Sequence, residues 1–189
     1  MNNVAPHVYE KEDVEEVLPL VDAPYLPQIN EEEQKNTYTL VLDLDETLVH
    51  FFEVTIQKTE TEGHVLVRPG AEKFIEEMGE IYELVIFTAA IQEYADKVIN
   101  EIDSKNRVKF RLYRQHAIPQ ENNFIKVYFI QDLTRIGRDL SKIIIVDNTQ
   151  ECFQLQPENG ICIRSWFGDN NDNALDELSE LLKGFFIKR

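Results

Sequence analysis

The stretch TLVLDLDETLVH, residues 39–50, constrains the fold of this chain more than any other. It begins with a short apolar run from Thr39 to Leu42, which is typical of a strand buried on both faces of a parallel sheet. Asp43 and Asp45 follow directly. Because charged side chains there must reach the surface, the strand is expected to end at the carboxyl edge of an α/β sheet, where ligands bind.

The aspartate pair admits two interpretations. Neighbouring carboxylates repel each other unless a cation or a shared proton relieves them, and Mg²⁺ prefers carboxylate and phosphate oxygens. Asp43 and Asp45 are therefore consistent with a magnesium-assisted phosphate site in which one aspartate acts as nucleophile. Alternatively, both carboxylates only cap backbone amides at a strand-to-turn junction.

Two further predicted strands also end in polar residues. ELVIFTAA, residues 83–90, predicts a buried strand that ends at Thr88, before a helical pattern over residues 91–102. A helix N-terminus favours phosphate, although Thr88 as a plain N-cap is the alternative. IIIVDN predicts a third strand ending in Asp147 and Asn148. Because the carboxyl ends of parallel strands share one edge, these polar groups are expected to converge.

The rest of the chain completes an alternating α/β pattern. Strands are predicted at residues 51–58 and 63–68, within 111–116, in 124–130 and at 161–163; helices are predicted at 71–82, within 132–140 and from a cap at Asn171 or Asp172 to about Lys183. Residues 118–123 predict a turn. In the last helix, Gly184 is the predicted stop, and the predicted buried positions are Leu175, Leu178, Leu181 and Leu182.

Composition bounds the remaining questions. A chain of 189 residues with 43% apolar residues suits one ordinary domain, and it contains no apolar run long enough for a membrane span. The net charge of −16 argues against direct binding of nucleic acid. Residues 1–36 carry nine acids against two lysines. We expect an acidic extended leader at residues 1–36 and one domain at residues 37–189; the leader is either a partly disordered arm or a docking arm for a protein partner.

The two cysteines, Cys152 and Cys162, do not suggest a disulfide framework, so a reducing compartment is expected. The first residues resemble neither a secretory signal nor a mitochondrial transit peptide. The sequence thus favours an intracellular protein of the nucleus or cytoplasm, with a mitochondrial or complex-bound location left open.

The motif DLDETL followed by VH resembles the first motif of the FCP/SCP-type phosphatases, the C-terminal-domain phosphatases and nuclear LIM-interactor-interacting-factor-like proteins of the haloacid dehalogenase superfamily. Further matches occur in the same order: LVRPG, VIFTAA, YAD, DLTRIGRDL, IIIVDN, PENGI and SWF. The resemblance implies an α/β, three-layer Rossmann-like fold, with a central, mostly parallel sheet and a small β-hairpin insertion after the first core strand.

The resemblance also implies a mechanism. Asp43 would attack phosphorus to form an aspartyl-phosphate, and Asp45 would act first as general acid and then as general base. Mg²⁺ would be bound by Asp43, the backbone carbonyl of Asp45, Asn148 and, directly or through water, Asp147. Thr88 would hold a phosphate oxygen. The implied activity is magnesium-dependent dephosphorylation of phosphoserine and phosphothreonine in proteins.

The hairpin insertion would form a flap that helps to select the substrate. Phe51 and Phe52 are expected to line the pocket, and Tyr94 matches a family position near it. The implied partner is a phosphoprotein, for which a Ser/Thr/Pro-rich tail such as a polymerase tail is one candidate.

One position departs from the family pattern. The family usually has a lysine directly before the Asp-Leu of DLTRIGRDL, and here that residue is Gln131. An alternative register assigns the lysine role to Lys126 but inserts five residues. Without the cation, a catalytically weak or inactive phosphatase-fold scaffold, within a larger assembly, is the alternative function. A small-metabolite phosphatase is less favoured, because the insertion is too short for a large cap.

Overall fold

The computed structural model describes residues 9–10, 20–57, 60–122 and 126–187. The strands are β1 (Tyr9–Glu10), β2 (Thr39–Leu42), β3 (Val49–Gln57), β4 (Glu60–Val67), β5 (Glu83–Phe87), β6 (Val108–Leu112), β7 (Ile118–Asn122), β8 (Lys126–Ile130), β9 (Ile143–Asp147) and β10 (Gly160–Cys162). The α-helices are α1 (Glu31–Asn36), α2 (Ala71–Gly79), α3 (Gln92–Ile102) and α4 (Ala174–Ile187).

A five-stranded parallel sheet forms the centre, in the order β10-β9-β2-β5-β6. Strand β2 lies between β5 and β9, so that Leu42 is in register with Ile86 on one side and with Val146 on the other. All four residues of β2 are buried. The three buried strands predicted from the sequence are therefore confirmed, and they are neighbours.

Both faces of the sheet are covered, which gives three layers. On one face, alternate strand residues such as Leu40 and Ile86 pack against the apolar sides of α2, α3 and α4. The other face, including Val41 and Val85, has no long helix over it among the described residues. Residues from irregular segments and from the second sheet, of order β1-β8-β7, cover it: Leu26, Ala117, Phe129, Leu133, Ile136 and Phe153.

The predicted hairpin insertion is present as β3 and β4, which pair antiparallel from Val49 opposite Val67 outward. We refer to β3 and β4 as the flap. Its first strand begins two residues earlier than predicted. Its second strand begins at Glu60, three residues before the predicted start at Gly63, and Gly63 lies inside β4 opposite Glu53.

Four other predictions were wrong. Residues 118–122 form an edge strand rather than a turn, a place where Pro119 is tolerated because an edge strand has a side without ladder bonds. The predicted short helix in 132–140 is two separate 3-10 turns, Leu133–Arg135 and Leu140–Lys142. Helix α4 continues through Gly184, and Leu181 is 48% exposed rather than buried.

Part of the predicted leader packs on the domain. The backbone amides of Tyr25 and Leu26 donate to the carbonyls of Arg135 and Ile136, and Leu26 is buried in the core. Residues 1–8 and 11–19 lie outside the described residues, so the domain division remains a prediction. Within the described ranges, no helix is long and apolar enough to cross a membrane.

Candidate active site

The carboxyl ends of β2 and β9 meet at one hydroxyl group. Thr47, in the loop after β2, donates from Oγ1 to Asp43 Oδ2 at 2.9 Å and lies 3.4 Å from Asn148 Oδ1. Asn148 directly follows Asp147, the last residue of β9. Asn148 Nδ2 donates to Ser165 Oγ at 3.0 Å, which directs its amide oxygen towards Thr47. The strand ends therefore bring oxygen atoms from both segments together.

Asp45 lies beside the start of α3 and the flap. Tyr94, in the first turn of α3, donates from its hydroxyl to Asp45 Oδ1 at 2.7 Å. Phe51 packs edge-on against the Tyr94 ring, with centroids 5.7 Å apart. Phe52 points to the other face of the flap and stacks on His64 at 5.5 Å. The structure thus groups Phe51 and Tyr94 near Asp45 and leaves Phe52 apart.

Thr88 follows β5 and is buried, next to the end of β2. Its Oγ1 accepts a hydrogen bond from the Ala90 amide at 3.0 Å, and the hydroxyl retains its own hydrogen as a donor. The N-cap of α3 is Ile91 rather than Thr88. The alternative explanation of Thr88 as a plain helix cap is therefore wrong.

Of the two candidates for the lysine position, Gln131 reaches the site. Its Nε2 donates to Asp147 Oδ2 at 3.1 Å. Lys126 begins β8, and its side chain lies outside the described residues. Five residues of extended strand separate the two Cα atoms by about 16 Å. The backbone geometry therefore favours the register that aligns Gln131 with the family lysine.

The two carboxylates nearest the sheet are deeply buried. Burial, and then the charges of Asp147 and Asp45, raise the pKa of Asp43 well above its ordinary value. Burial also raises the pKa of Asp147 to about 7, although hydrogen bonds from the Thr149 amide, Cys152 and Gln131 act to lower this pKa. Burial and neighbouring negative charge thus disfavour the charged forms of both groups, and a bound cation would offset that cost.

Sequence reasoning missed the residue that anchors the loop. Arg68, at the end of the flap, is 1% exposed; it donates from Nη1 to the Thr47 carbonyl at 3.0 Å and pairs through Nε and Nη2 with both carboxylate oxygens of Asp172. Asp172 also accepts from the amide of Ala174, the first residue of α4. No local pattern signals an ion pair between residues 104 positions apart.

Glu46 holds the loop from the other side. Its φ of 58° is unusual for a residue with a side chain, and its backbone carbonyl accepts from the Trp166 amide at 2.9 Å. Burial, followed by the charge of Asp45, raises the pKa of Glu46 to about 8. The side chain contacts His50 Nδ1 at 3.1 Å. The segment of the SWF motif thus fixes the turn between Asp45 and Thr47.

Residues 38–188 match the model of the NLI interacting factor-like phosphatases. The chain belongs to the NLI interacting factor-like phosphatase family. The resemblance stated from the motifs is thereby confirmed.

Relatives of known sequence agree. The chain is 40% identical over 156 residues to CTD small phosphatase-like protein 2 of Dictyostelium discoideum, covering 77% of this chain and 27% of the relative. It is 40% identical over 155 residues to phosphatase Herzog of Drosophila melanogaster, covering 76% of this chain and 43% of the relative. It is 34% identical over 189 residues to the human CTD small phosphatase-like protein, covering 93% of this chain and 66% of the relative. The chain thus spans between about a quarter and two thirds of these relatives.

A solved structure confirms the predicted fold. The structure of Fcp1, described as an essential RNA polymerase II CTD phosphatase, superposes with a TM-score of 0.63 over 82% of this chain and 63% of that chain, at 18% identity. At this identity the likeness establishes the fold alone.

The residues at the strand ends include oxygen donors of the kind that Mg²⁺ accepts. Asp43, Asp147 and Asn148 supply hard oxygen atoms, and the buried carboxylates lack a countercharge among the residues that contact them. Within the described residues, no group of three or more His, Cys, Asp or Glu side chains is arranged as a metal site. The predicted ligands are the carboxylates of Asp43 and Asp147, the amide oxygen of Asn148 and the backbone carbonyl of Asp45. Only two of these are side chains of the four types named, so this set fits Mg²⁺ without forming such a group.

The raised pKa values of Asp43 and Asp147 predict a pH-dependent stability that Mg²⁺ reverses. Because the native state retains protons that the unfolded state loses above pH 4, the free energy of unfolding of the metal-free protein should fall as pH rises from about 5 to 8. Mg²⁺ should restore stability strongly at pH 8 and little at pH 5.5, because it competes with the protons. Thermal unfolding with EDTA or Mg²⁺ measures this.

The matched variant is Asp43→Asn, which removes one charge at nearly constant shape. Without metal at pH 8, it should melt several degrees above the wild type (on the order of 1 kcal/mol or more), and Mg²⁺ should stabilise it less. Equal stabilisation of both proteins by Mg²⁺ would contradict the assignment of the ion to these carboxylates.

Proposed function

We propose that this chain is a magnesium-dependent protein phosphatase that removes phosphate from phosphoserine and phosphothreonine through an aspartyl-phosphate on Asp43. The observation that carries the proposal is the Thr47 hydroxyl, 2.9 Å from Asp43 and 3.4 Å from Asn148, which joins the two strand ends at one site. Family membership supports phosphoryl-transfer chemistry at this site.

Asp43 is suited to act as the nucleophile. Thr47 binds Oδ2 and fixes the orientation of the carboxylate, so that Oδ1 attacks phosphorus. The bond from phosphorus to the substrate oxygen then breaks, and the phosphoryl group is carried by Asp43. Splitting the hydrolysis into two steps lowers each barrier.

Asp45 supplies and recovers the proton. Tyr94 binds Asp45 Oδ1 at 2.7 Å and holds the carboxyl group beside the helix start. Asp45 gives its proton to the departing serine or threonine oxygen, and afterwards takes a proton from the water that attacks the aspartyl-phosphate. Phosphate leaves, and Asp43 returns to its carboxylate form.

The remaining residues hold charge and phosphate. Asp43, Asp147, Asn148 and the backbone carbonyl of Asp45 would hold Mg²⁺, which when bound offsets the negative charge of the phosphoryl oxygens. Thr88, buried at the end of the adjacent strand β5, donates its hydroxyl hydrogen to a phosphate oxygen.

The flap supports a protein substrate. Phe51 and Tyr94 form an aromatic pair beside the group that protonates the leaving oxygen, whereas no large cap covers the site in the described residues. Several relatives are named CTD small phosphatase-like proteins, which makes Ser/Thr/Pro-rich tails the first substrates to test. The compartment and a partner for the leader remain predictions.

Gln131 favours a second candidate function. The residue that contacts Asp147 is neutral where the family usually has a lysine, so the site has one positive charge fewer. Loss of such an electrostatic group commonly costs on the order of 10²-fold in rate. The chain would then serve as a weak or inactive phosphatase-fold scaffold in a larger assembly.

Substitution of the nucleophile separates the two functions. Asp43→Asn should lower magnesium-dependent hydrolysis of para-nitrophenyl phosphate by about 10³-fold or more, because no carboxylate remains to attack phosphorus. Asp176→Asn, the same change on the exposed side of α4, should leave the rate unchanged. If wild type and Asp43→Asn hydrolyse the ester equally, the activity is not that of this site, and the scaffold function is favoured.

Tyr94→Phe tests the orientation of Asp45. Removing a hydrogen bond to a charged group should lower kcat by about 10-fold or more, with little change in KM. Tyr113→Phe is the matched control, because it breaks a similar bond of 2.8 Å to Asp96 that does not involve the catalytic pair. Equal losses in both variants would mean that Tyr94 acts only through general stability.

A further inference from the structure

Gln131 uses all of its donor capacity within the protein. The residue is 1% exposed, and its Nε2 donates to the Phe87 carbonyl at 3.0 Å and to Asp147 Oδ2 at 3.1 Å. An amide NH₂ carries two hydrogens, and here each has its own acceptor. Gln131 therefore joins the end of β5 to the end of β9, on either side of the strand that leads to Asp43.

The orientation of the Gln131 amide follows from its partners. Rotating the amide by 180° would place Oε1 against the Phe87 carbonyl, an acceptor that cannot donate to it. In the observed orientation, buried Oε1 has no hydrogen-bond partner among the described residues. A carbonyl oxygen repels phosphate oxygens, so Gln131 neither donates to a phosphoryl group nor neutralises it.

The other contacts of the buried carboxylates are neutral as well. Asp43 is bound by the hydroxyl of Thr47, and Asp147 Oδ1 is bound by the backbone amide of Thr149 at 2.6 Å. In the part of the chain that the structure describes, no lysine or arginine forms an ion pair with Asp43 or Asp147. The protein thus orients these carboxylates without offsetting their charge.

We infer that Gln131 is a positioning residue that holds Asp147 for a divalent cation, and that its neutrality makes phosphate binding at this site depend on prior binding of that cation. The inference rests on the proposed function, because it concerns the same metal and phosphate. A neutral donor leaves the carboxylates available to the cation. The phosphate, in turn, finds no positive side chain among the described residues that contact Asp43 and Asp147, so the cation supplies the charge that attracts it.

The test measures binding rather than turnover. Isothermal titration of Mg²⁺ and of inorganic phosphate compares the wild type with Gln131→Met, which keeps the approximate shape without hydrogen bonds, and with Gln131→Lys, which adds a charge. Gln156→Met is the matched control, because Gln156 donates in a similar way to Asp132, outside the site. Thermal unfolding and circular dichroism verify that each variant is folded.

The wild type should bind phosphate only when Mg²⁺ is present. Gln131→Met should weaken Mg²⁺ binding by about 10-fold or more, which is the usual cost of removing a group that orients a metal ligand. Gln131→Lys should weaken Mg²⁺ binding by a similar factor, because the ammonium competes for Asp147, and should bind phosphate without Mg²⁺. Gln156→Met should match the wild type in both titrations.

Two results would overturn the inference. Wild-type affinity for Mg²⁺ in Gln131→Met would show that Gln131 does not position Asp147. Equal phosphate affinity of the wild type with and without Mg²⁺ would show that the cation is not required. Failure of the proposed function would be seen in a different experiment. Equal hydrolysis by wild type and Asp43→Asn would refute the activity and would leave the results of these binding titrations unchanged. If Gln131→Lys does not fold, the titrations of Gln131→Met and of the wild type still test both parts of the inference.

Discussion

Two buried carboxylates, Asp43 and Asp147, lie at the ends of adjacent parallel strands, and the rest of the site depends on their repulsion. Burial and neighbouring negative charge raise both pKa values, so the fold carries an unfavourable interaction at its centre. Neutral donors from Thr47, the Thr149 amide and Gln131 orient these groups without cancelling their charge. Such an arrangement is typical of a functional site rather than of a stabilising core.

A buried ion pair keeps the surrounding loop in place. Arg68 is joined to Asp172 at the start of α4 and to the Thr47 carbonyl in the loop after β2. A buried pair of this kind adds little net stability, whereas losing one partner is costly. The flap, the loop after β2 and helix α4 are therefore coupled through one guanidinium group, which explains how this short loop holds Thr47 beside Asp43.

The sequence predicted the parts of the fold that depend on local pattern. Strands β2, β5 and β9 are buried runs with polar ends, and the rule for parallel strands was sufficient to predict that Asp43, Thr88 and Asp147 converge. The opposite faces taken by Phe51 and Phe52 also follow from strand alternation, although both had been assigned to the pocket.

Tertiary contacts determine the features that the sequence pattern did not predict. Helix α4 continues through Gly184 because a single glycine costs only about 1 kcal/mol in a helix. The contact of Gln131 with Asp147 joins residues 16 positions apart, and that of Arg68 with Asp172 joins residues 104 apart. The motifs located Gln131 as a departure from the family, but only the packed structure shows which atoms its amide binds.

The central claim is that segments distant in sequence place their oxygen atoms around one divalent ion. Anomalous diffraction from crystals grown with Mn²⁺, which accepts the same oxygen ligands as Mg²⁺, tests it most directly. We expect one strong peak at about 2.0–2.2 Å from both the Asp43 carboxylate and the Asn148 amide oxygen. A peak elsewhere on the protein, or none beside Asp43 at saturating Mn²⁺, would contradict the account.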